Sequence, residues 1–173
     1  LAAMINYINE TQPAHILTIE DPIEFVHQSK KALINQRELH EHTHSFANAL
    51  RSSLREDPDV ILVGEMRDPE TIALALTAAE TGHLVLGTLH ASSVIEAIIR
   101  MESFFNQEQI EAISMQIASS LNSIIIQKLI PTIDENLVCC MDILLATTAV
   151  KNLISKNQLS QLISQMQLNR QNG

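Results

Sequence analysis

Aromatic residues and glycines are scarce in this 173-residue sequence: aromatic residues make up 3% of the chain, tryptophan is absent and only four glycines occur. A core without large rings has to be built from aliphatic side chains, and the 46% hydrophobic content supplies them. A chain of this size can bury one substantial core, so we expect one domain, or a domain with a short appendage.

The sequence contains only two cysteines, Cys139 and Cys140, which are adjacent within an apolar run. Neighbouring residues on a strand point to opposite faces, so this pair is unsuited to a shared metal or a disulfide. We predict two small buried hydrophobic side chains in a reducing compartment.

Long apolar runs and an excess of positive charge are also missing. No run approaches the ~18 residues that a membrane-spanning helix needs. The formal net charge is -9, and the basic stripe that nucleic-acid binding requires is not found. We therefore expect a cytoplasmic protein that binds no nucleic acid and does not insert into a membrane.

Four consecutive apolar residues, Val60 to Val63, lie between Pro58 and Gly64. This is the pattern of a short strand covered on both faces of a parallel sheet. Glu65 follows at the carboxyl end of the strand, and ligands of open α/β sheets bind at that edge. A core strand with solvated flanks is the simpler alternative.

Two further apolar segments also end in polar residues. Ala14 to Ile19 is followed by Glu20, Asp21 and Glu24, and Leu84 to Leu89 is followed by His90. Grouped carboxylates suit magnesium or water activation, because a hard cation prefers oxygen ligands; an ordinary polar turn is the alternative. Because parallel strands share their carboxyl edge, the sequence predicts that three strands bring these residues to one site.

Two helices are predicted around the central strand. A helix from Thr43 would place Arg51 and Arg55, four residues apart, side by side. Paired guanidinium groups suit phosphate, whereas surface ion pairing is the alternative. After the strand, Asp68 followed by a proline predicts the start of a second helix, which Gly82 would end.

For the other segments, the sequence predicts secondary structure but no specific catalytic or binding role. Lys30 to His44 is a polar connection, which we expect to be a solvated loop or an edge. His83 stands at the opposite end of its strand from His90. Beyond Ser92 the pattern predicts helices to about Met101 and from Gln107 to Leu129, a strand from Leu137 to Leu145, and a helix that Thr147 or Thr148 would cap. We place a boundary between an α/β core, residues 1–130, and a carboxyl-terminal strand with helices, residues 131–173.

An acidic strand end beside arginines suggests nucleotide chemistry, so a phosphate loop of the form G-x-x-x-x-G-K-[ST] is the next feature to seek. Gly82 and Gly87 have the required separation, but Thr88 and Leu89 follow instead of lysine and a hydroxyl residue. The segment also has the pattern of a strand, whose N–H groups would be used in the sheet. The motif is absent from these 173 residues.

Four segments resemble motifs of one family. Ile16 to His27 (ILTIEDPIEFVH) is similar to its aspartate box, Leu54 to Asp68 (LREDPDVILVGEMRD) to its Walker B signature, Thr81 to Ser93 (TGHLVLGTLHASS) to its histidine box, and Ala149 to Ile154 (AVKNLI) to an AIRNLI motif. Together they resemble the secretion and type IV pilus ATPase family, most closely its pilus retraction motors. The resemblance runs from Leu1 almost to the end of the chain.

This resemblance implies a RecA-like P-loop NTPase core that works as a homo-hexameric ring, binds ATP with Mg²⁺ and drives pilus retraction. It also implies an inner-membrane pilus platform protein as the partner, which would hold the cytoplasmic motor at the membrane. Glu24 would activate the attacking water, Glu65 would support Mg²⁺ and His90 would contact the γ-phosphate. The implied nucleotide-binding residues are Glu20, Asp21, Arg37, Arg51, Arg55, Gly64 and Arg67. Further implied motif residues are Asp68, His83, Ala149, Val150, Lys151, Asn152, Leu153 and Ile154.

In the family the phosphate loop precedes the stretch that corresponds to Leu1. We therefore expect a core without its first strand and phosphate loop, and an isolated chain that is inactive. One alternative is a pilus assembly or type II secretion motor, although those usually carry a four-cysteine zinc module. Another is a non-hydrolytic remnant that docks on intact motor subunits. A metal hydrolase using His83 and His90 is the weakest alternative, because the ends of a six-residue strand lie roughly 20 Å apart.

Overall fold

The computed structural model describes residues 1–168. The helices are α1 (Ala2–Thr11), α2 (Phe46–Ser53), α3 (Pro69–Glu80), α4 (Val94–Ser103), α5 (Gln107–Ser120), α6 (Thr148–Ser155) and α7 (Leu162–Leu168), with a 3₁₀ turn at Leu159–Gln161. The strands are β1 (His15–Glu20), β2 (Leu33–Glu38), β3 (Val60–Val63), β4 (Leu84–Gly87), β5 (Ser123–Pro131) and β6 (Leu137–Leu145). The chain divides into two compact units, Leu1–Leu89 and His90–Gly173.

The first unit is built on a four-stranded sheet in the order β2-β1-β3-β4. All three strand pairs are parallel, and in the register Leu17 lies beside Ile61, which in turn lies beside Val85. Helix α1 covers one face of the sheet, and helices α2 and α3 cover the other. The predicted α/β architecture with a parallel sheet is confirmed.

Each face of this sheet has its own aliphatic core. On one face Ile5 of α1 packs with Ile16 and Leu62. On the other face, Leu17 and Ile61 belong to a cluster that also includes residues of α2 and α3. All four residues of β3 are buried, as the uninterrupted apolar run predicts.

Helix α3 begins and ends at the predicted residues. The Asp68 carboxylate accepts hydrogen bonds from the Thr71 backbone N–H at 2.8 Å and from the Thr71 hydroxyl at 2.6 Å. Pro69 occupies the first turn, where a missing N–H costs nothing. Gly82 ends the segment with φ of 105°, a left-handed conformation that favours glycine.

One of the two predictions about the edges of the sheet is wrong. For Lys30–His44 a loop or an edge was predicted, and the segment contains an edge strand, β2, which pairs with β1 along its whole length. The third strand was predicted to be buried, but it is the opposite edge, and Leu84 is 39% exposed. Edge strands are covered less completely than central ones, so neither polarity nor a run of apolar residues identifies them reliably.

The second unit contains helices and a two-stranded antiparallel sheet, β5-β6. The predicted helix from Gln107 to Leu129 ends at Ser120, and this part of the prediction is wrong. Leu121 is already extended, with ψ of 131°, and three consecutive isoleucines follow at 124–126. β-Branched residues favour strands. The predicted strand Leu137–Leu145 is confirmed and pairs with β5 from end to end.

Two more sequence predictions concern this unit. The predicted boundary at residue 130 falls inside β5, whereas the two compact units meet at residues 89 and 90. Cys139 and Cys140 are exposed, so their predicted burial is wrong. Cys139 and Cys140 pair with Leu129 and Lys128 of β5, in a part of the hairpin where the residues of both strands are exposed.

Helix α6 carries the Ala149–Ile154 segment. Thr147 caps its start, as predicted, by accepting a hydrogen bond from the Val150 N–H at 3.4 Å. Val150 and Ile154 are buried. The Lys151 ammonium group donates to the Ser119 carbonyl at 2.9 Å, and therefore places a positive charge at the carboxyl end of α5.

Within residues 1–168, no helix combines the length and the apolar character that crossing a bilayer requires.

Candidate nucleotide-hydrolysis site

The carboxyl ends of β1 and β3 meet at a cleft of about 360 Å³ in the first unit. The strands are neighbours, with Ile19 beside Val63, so the residues that follow them emerge at the same edge. Predicted site residues that line the cleft are Glu20, Asp21, Glu24, Gly64 and Glu65. The first residues of α1 and the side chains of Phe25, His27, Phe46 and Thr88 complete the lining. Carboxylates from two strands are therefore concentrated around one opening.

Gly64 lets the two strand ends approach each other closely. Its N–H donates to the Ile19 carbonyl at 2.7 Å. The Thr88 hydroxyl, which follows β4, donates to the Gly64 carbonyl. The segment between Val63 and Glu65 is thus held from both neighbouring strands.

Arg67 links two of the carboxylates. Its guanidinium group is paired with Glu65 and lies 3.6 Å from an Asp21 carboxylate oxygen. The hydrogen bond from Arg67 to Glu65, together with the charge of Glu65, raises the pKa of Arg67. Only 18% of the Glu65 side chain is exposed, compared with 55% for Arg67. Glu65 is therefore a sheltered carboxylate whose charge is balanced from the solvent side.

Glu20 is fixed by hydrogen bonds from two directions. The Thr18 hydroxyl donates to Glu20 Oε1 at 2.6 Å, and the Gln36 amide donates to the same oxygen at 3.1 Å. Thr18 lies two residues earlier on β1 and so shares a face with Glu20. Both donors stabilise the ionised carboxylate at the cleft wall.

The predicted arginines do not line this cleft. Arg37 binds both carboxylate oxygens of Glu56, at 2.8 and 2.7 Å, and Arg51 forms an ion pair with Glu70. Arg55 is exposed and lies after the end of α2, so the prediction that it projects from the same helix as Arg51 is wrong.

Two other predicted motif residues of the first unit, Asp68 and His83, do not line the cleft. Asp68 caps α3, as described above. His83 lies at the amino end of β4, where its Nδ1 is 2.9 Å from the Ala78 carbonyl and 3.2 Å from the Thr81 hydroxyl. His90 is the first residue of the second unit, and Ala149–Ile154 belongs to that unit as well.

Several cleft residues were not singled out as site residues in the sequence, among them Thr18, Phe25 and His27. The alternation of side chains along β1 could have identified Thr18, because it faces the same side as Glu20. Phe25 and His27 lie within the aspartate-box segment, and their rings are 4.7 Å apart. A polar segment of this kind gives no signal for which of its side chains turns towards the site.

His27 is expected to respond to the charges around the cleft. Partial burial lowers its pKa, Glu20 opposes this shift and Lys30 adds to it. A lowered histidine pKa means that the folded state favours the neutral ring. The neutral His27 ring therefore contributes to the stability of the folded state above the ordinary histidine pKa near 6.5. This stability is lost as the pH falls through the lower pKa that His27 has in the folded state.

Replacing Glu20 by glutamine should therefore lower the pKa of His27 further, and replacing Lys30 by methionine should raise it. Both changes can be followed by NMR titration of the His27 ring. A pKa that stays in place in both variants would contradict the assigned electrostatic causes.

In the described part of the chain, histidine, cysteine and carboxylate side chains form no group of three or more that could hold a metal ion by themselves. The cleft carboxylates fit magnesium held largely by phosphate and water, because Mg²⁺ usually binds through only one or two carboxylates in phosphate-binding sites.

Comparison with known proteins agrees with the fold and the motifs. The family described as type II/IV secretion system protein matches residues 1–170. A twitching motility protein of Neisseria gonorrhoeae is 62% identical over 174 residues, covering 100% of this chain and 46% of that protein. The Pseudomonas aeruginosa type IV pilus retraction ATPase PilT is 54% identical over 167 residues, covering 96% of this chain and 48% of PilT.

A solved structure is similar as well. The crystal structure of the pilus retraction motor PilT with bound ADP has a TM-score of 0.92 and 52% sequence identity, and the match covers 96% of this chain and 49% of that one. The chain thus spans about half the length of the curated relatives it matches. The family match over nearly all of its residues shows that this chain belongs to the type II/IV secretion system protein family.

Proposed function

We propose that this chain forms part of an ATPase motor that drives type IV pilus retraction and hence twitching motility. The observation that carries the proposal is the gathering of Glu20, Asp21, Glu24 and Glu65 at the carboxyl edge of a parallel sheet. The same fold occurs in a retraction motor that binds ADP. Ligands of open α/β sheets bind at this edge. The proposed core is RecA-like.

Glu24 is the proposed activator of the attacking water. It lines the cleft and is exposed, and in residues 1–168 its carboxylate has no hydrogen bond or ion pair to a protein group. A carboxylate that is not occupied by the protein is available to accept a proton from water. Phosphoryl transfer depends mainly on such positioning and on charge neutralisation.

Glu65 is the proposed support for Mg²⁺ and its water, because its side chain is only 18% exposed, compared with 32% for Asp21. Magnesium would supply neutralisation of the phosphate charge when bound. Arg67 would hold Glu65 and balance its charge, with Asp21 as the second carboxylate beside the same guanidinium group. The 173 residues contain no Walker A sequence, so the part of the site assigned to this chain is its acidic side, which handles water and metal.

Arg37, Arg51 and Arg55 are proposed to serve a nucleotide on a neighbouring subunit of a homo-hexamer. All three lie outside this chain's own cleft, and Arg51 and Arg55 are exposed. The ion pair between Arg51 and Glu70 has both side chains more than half exposed. Exposed ion pairs contribute little to stability, about 0–1 kcal/mol, so exchanging Glu70 for a phosphate as the partner of Arg51 would cost little.

His90 is proposed to contact the γ-phosphate.

A motor that drives pilus retraction requires a partner protein to which its movement is transmitted. We propose an inner-membrane pilus platform protein, with the motor on its cytoplasmic side. The Ala149–Ile154 helix is proposed to contribute to the retraction function, because this segment is similar to a motif of retraction motors. The alternative of a pilus assembly or secretion motor differs in the direction of transport rather than in the chemistry of the cleft.

The proposal is tested by deleting the gene and by assaying the full-length gene product for Mg²⁺-dependent ATP hydrolysis. Loss of twitching with pili still present on the cell surface is the expected phenotype. Cells that lack surface pili would point to an assembly motor instead. A full-length product that binds no ATP and releases no phosphate would overturn the ATPase proposal and favour a docking remnant.

A further inference from the structure

Gln36 of the edge strand β2 bonds two positions of the loop that carries Glu24. Gln36 donates from its amide nitrogen to the Phe25 carbonyl at 2.9 Å and to Glu20 Oε1 at 3.1 Å. Its amide oxygen accepts a hydrogen bond from the His27 N–H at 2.7 Å. One half-buried side chain therefore links β2, the end of β1 and two positions of the loop.

A second side chain on β2 holds the other side of Glu24. The Ile23 N–H donates to Glu38 Oε2 at 2.9 Å. Glu38 and Gln36 are two residues apart and so lie on the same face of the strand. The residues immediately before and after Glu24 are thus both bonded to β2, although Glu24 itself is not.

We propose that Gln36 is a positioning residue that holds Glu24 at its place over the cleft, with Glu38 as the second attachment point. This inference rests on the proposed ATPase function. Holding a catalytic group in place lowers the entropy that must be lost at the transition state, and small displacements can cost large factors in rate. Gln36 does not line the cleft, so it acts on the reaction only through the groups it holds, namely the loop and the Glu20 carboxylate.

The decisive variant is Gln36→Leu in the full-length gene product, which removes all three hydrogen bonds. We expect kcat for ATP hydrolysis to fall by about 10- to 100-fold, while KM for ATP stays within about threefold. Asn35→Leu is the matched control. Asn35 is the preceding residue on β2, bonds His15 Nε2 at 3.0 Å and faces the opposite side of the sheet, so its loss should leave kcat near the wild-type value.

A double-mutant cycle separates positioning from general destabilisation. If Gln36 acts through Glu24, then Gln36→Leu should have no further effect on the residual rate of Glu24→Gln. Should Gln36→Leu fail to fold, Gln36→Glu keeps the shape and the acceptor for the His27 N–H but removes both donors. The same fall in kcat and the same lack of effect in the Glu24→Gln background are expected for it.

Three results would overturn the inference: an unchanged kcat in the Gln36 variants, an equal fall in kcat in Asn35→Leu, or an equal fall in both Glu24 backgrounds. Each of these requires a wild-type protein that hydrolyses ATP, and so leaves the proposed function intact. A wild-type full-length product without Mg²⁺-dependent hydrolysis would instead overturn the proposed function, and this inference with it.

Discussion

Replacing Glu24 by glutamine is expected to lower kcat for ATP hydrolysis in the full-length gene product by about 10²–10⁴-fold, the usual contribution of a general acid or base. The side chain keeps its shape but can no longer accept the proton of the attacking water. KM for ATP should stay near the wild-type value, since the proposed contact of Glu24 is with water rather than with the nucleotide.

The same substitution should leave the fold unchanged. Glu24 is exposed, and the described residues give its carboxylate no partner that would be lost. We expect the free energy of unfolding to change by less than about 0.5 kcal/mol, as for other surface substitutions. Glu41→Gln is a suitable control, because Glu41 is also exposed but does not line the cleft. Wild-type turnover in Glu24→Gln would remove Glu24 from the proposed site.

The central part of the fold could be predicted because its signals are local. Val60–Val63 is a short apolar run between turn residues, and it is the buried strand β3. Asp68 and Pro69 mark the start of α3 because a cap and a fixed φ act within a few residues. In both cases residues adjacent in sequence decide the local structure, so a single sequence is enough to predict it.

The residue pattern predicts a loop or an edge at β2 and a helix at β5, whereas pairing with another strand decides the conformation of both segments. Gln36 on β2 is polar, but it bonds Glu20 and the loop that follows β1. Ile117, Leu121 and Ile124 have helical spacing, yet Ile124 lies in β5, where pairing with β6 decides the conformation. Local pattern is a weak prior where a strand partner supplies the missing contacts.

The same distinction holds for the candidate site. Glu20, Asp21 and Glu65 follow strands directly, so their approach follows from a parallel sheet. The arrangement of the arginines does not follow from the sheet, because a long arginine side chain can reach several different carboxylates. Arg67 pairs with Glu65, whereas Arg37 pairs with Glu56 beyond the end of α2. Charge pairs of long side chains are decided by tertiary placement, which spacing along the chain does not encode.

Gly64→Ala is expected to destabilise the first unit and to disturb the site at the same time. A Cβ atom at this position would lie 2.9 Å from the Ile19 carbonyl oxygen and 3.1 Å from Glu20 Cα. Both neighbours are backbone atoms of β1, so they cannot rotate away as a side chain can. Forcing extra volume into such a contact typically costs about 1–3 kcal/mol. The displaced residues precede Asp21 directly, so we also expect slower ATP hydrolysis.

Gly87→Ala provides the matched control, because the three atoms nearest to a Cβ atom there all belong to the Met66 side chain, with Cε at 2.8 Å. Methionine is flexible and can move aside, so this variant should lose less than about 1 kcal/mol. Neither Gly64 nor Gly87 has a positive φ, so the two substitutions differ in what surrounds them and not in backbone conformation. Urea unfolding of the two variants measures the difference. Equal stability losses would show that β1 yields as readily as a methionine side chain, and that the close approach at Gly64 does not hold the two strand ends together.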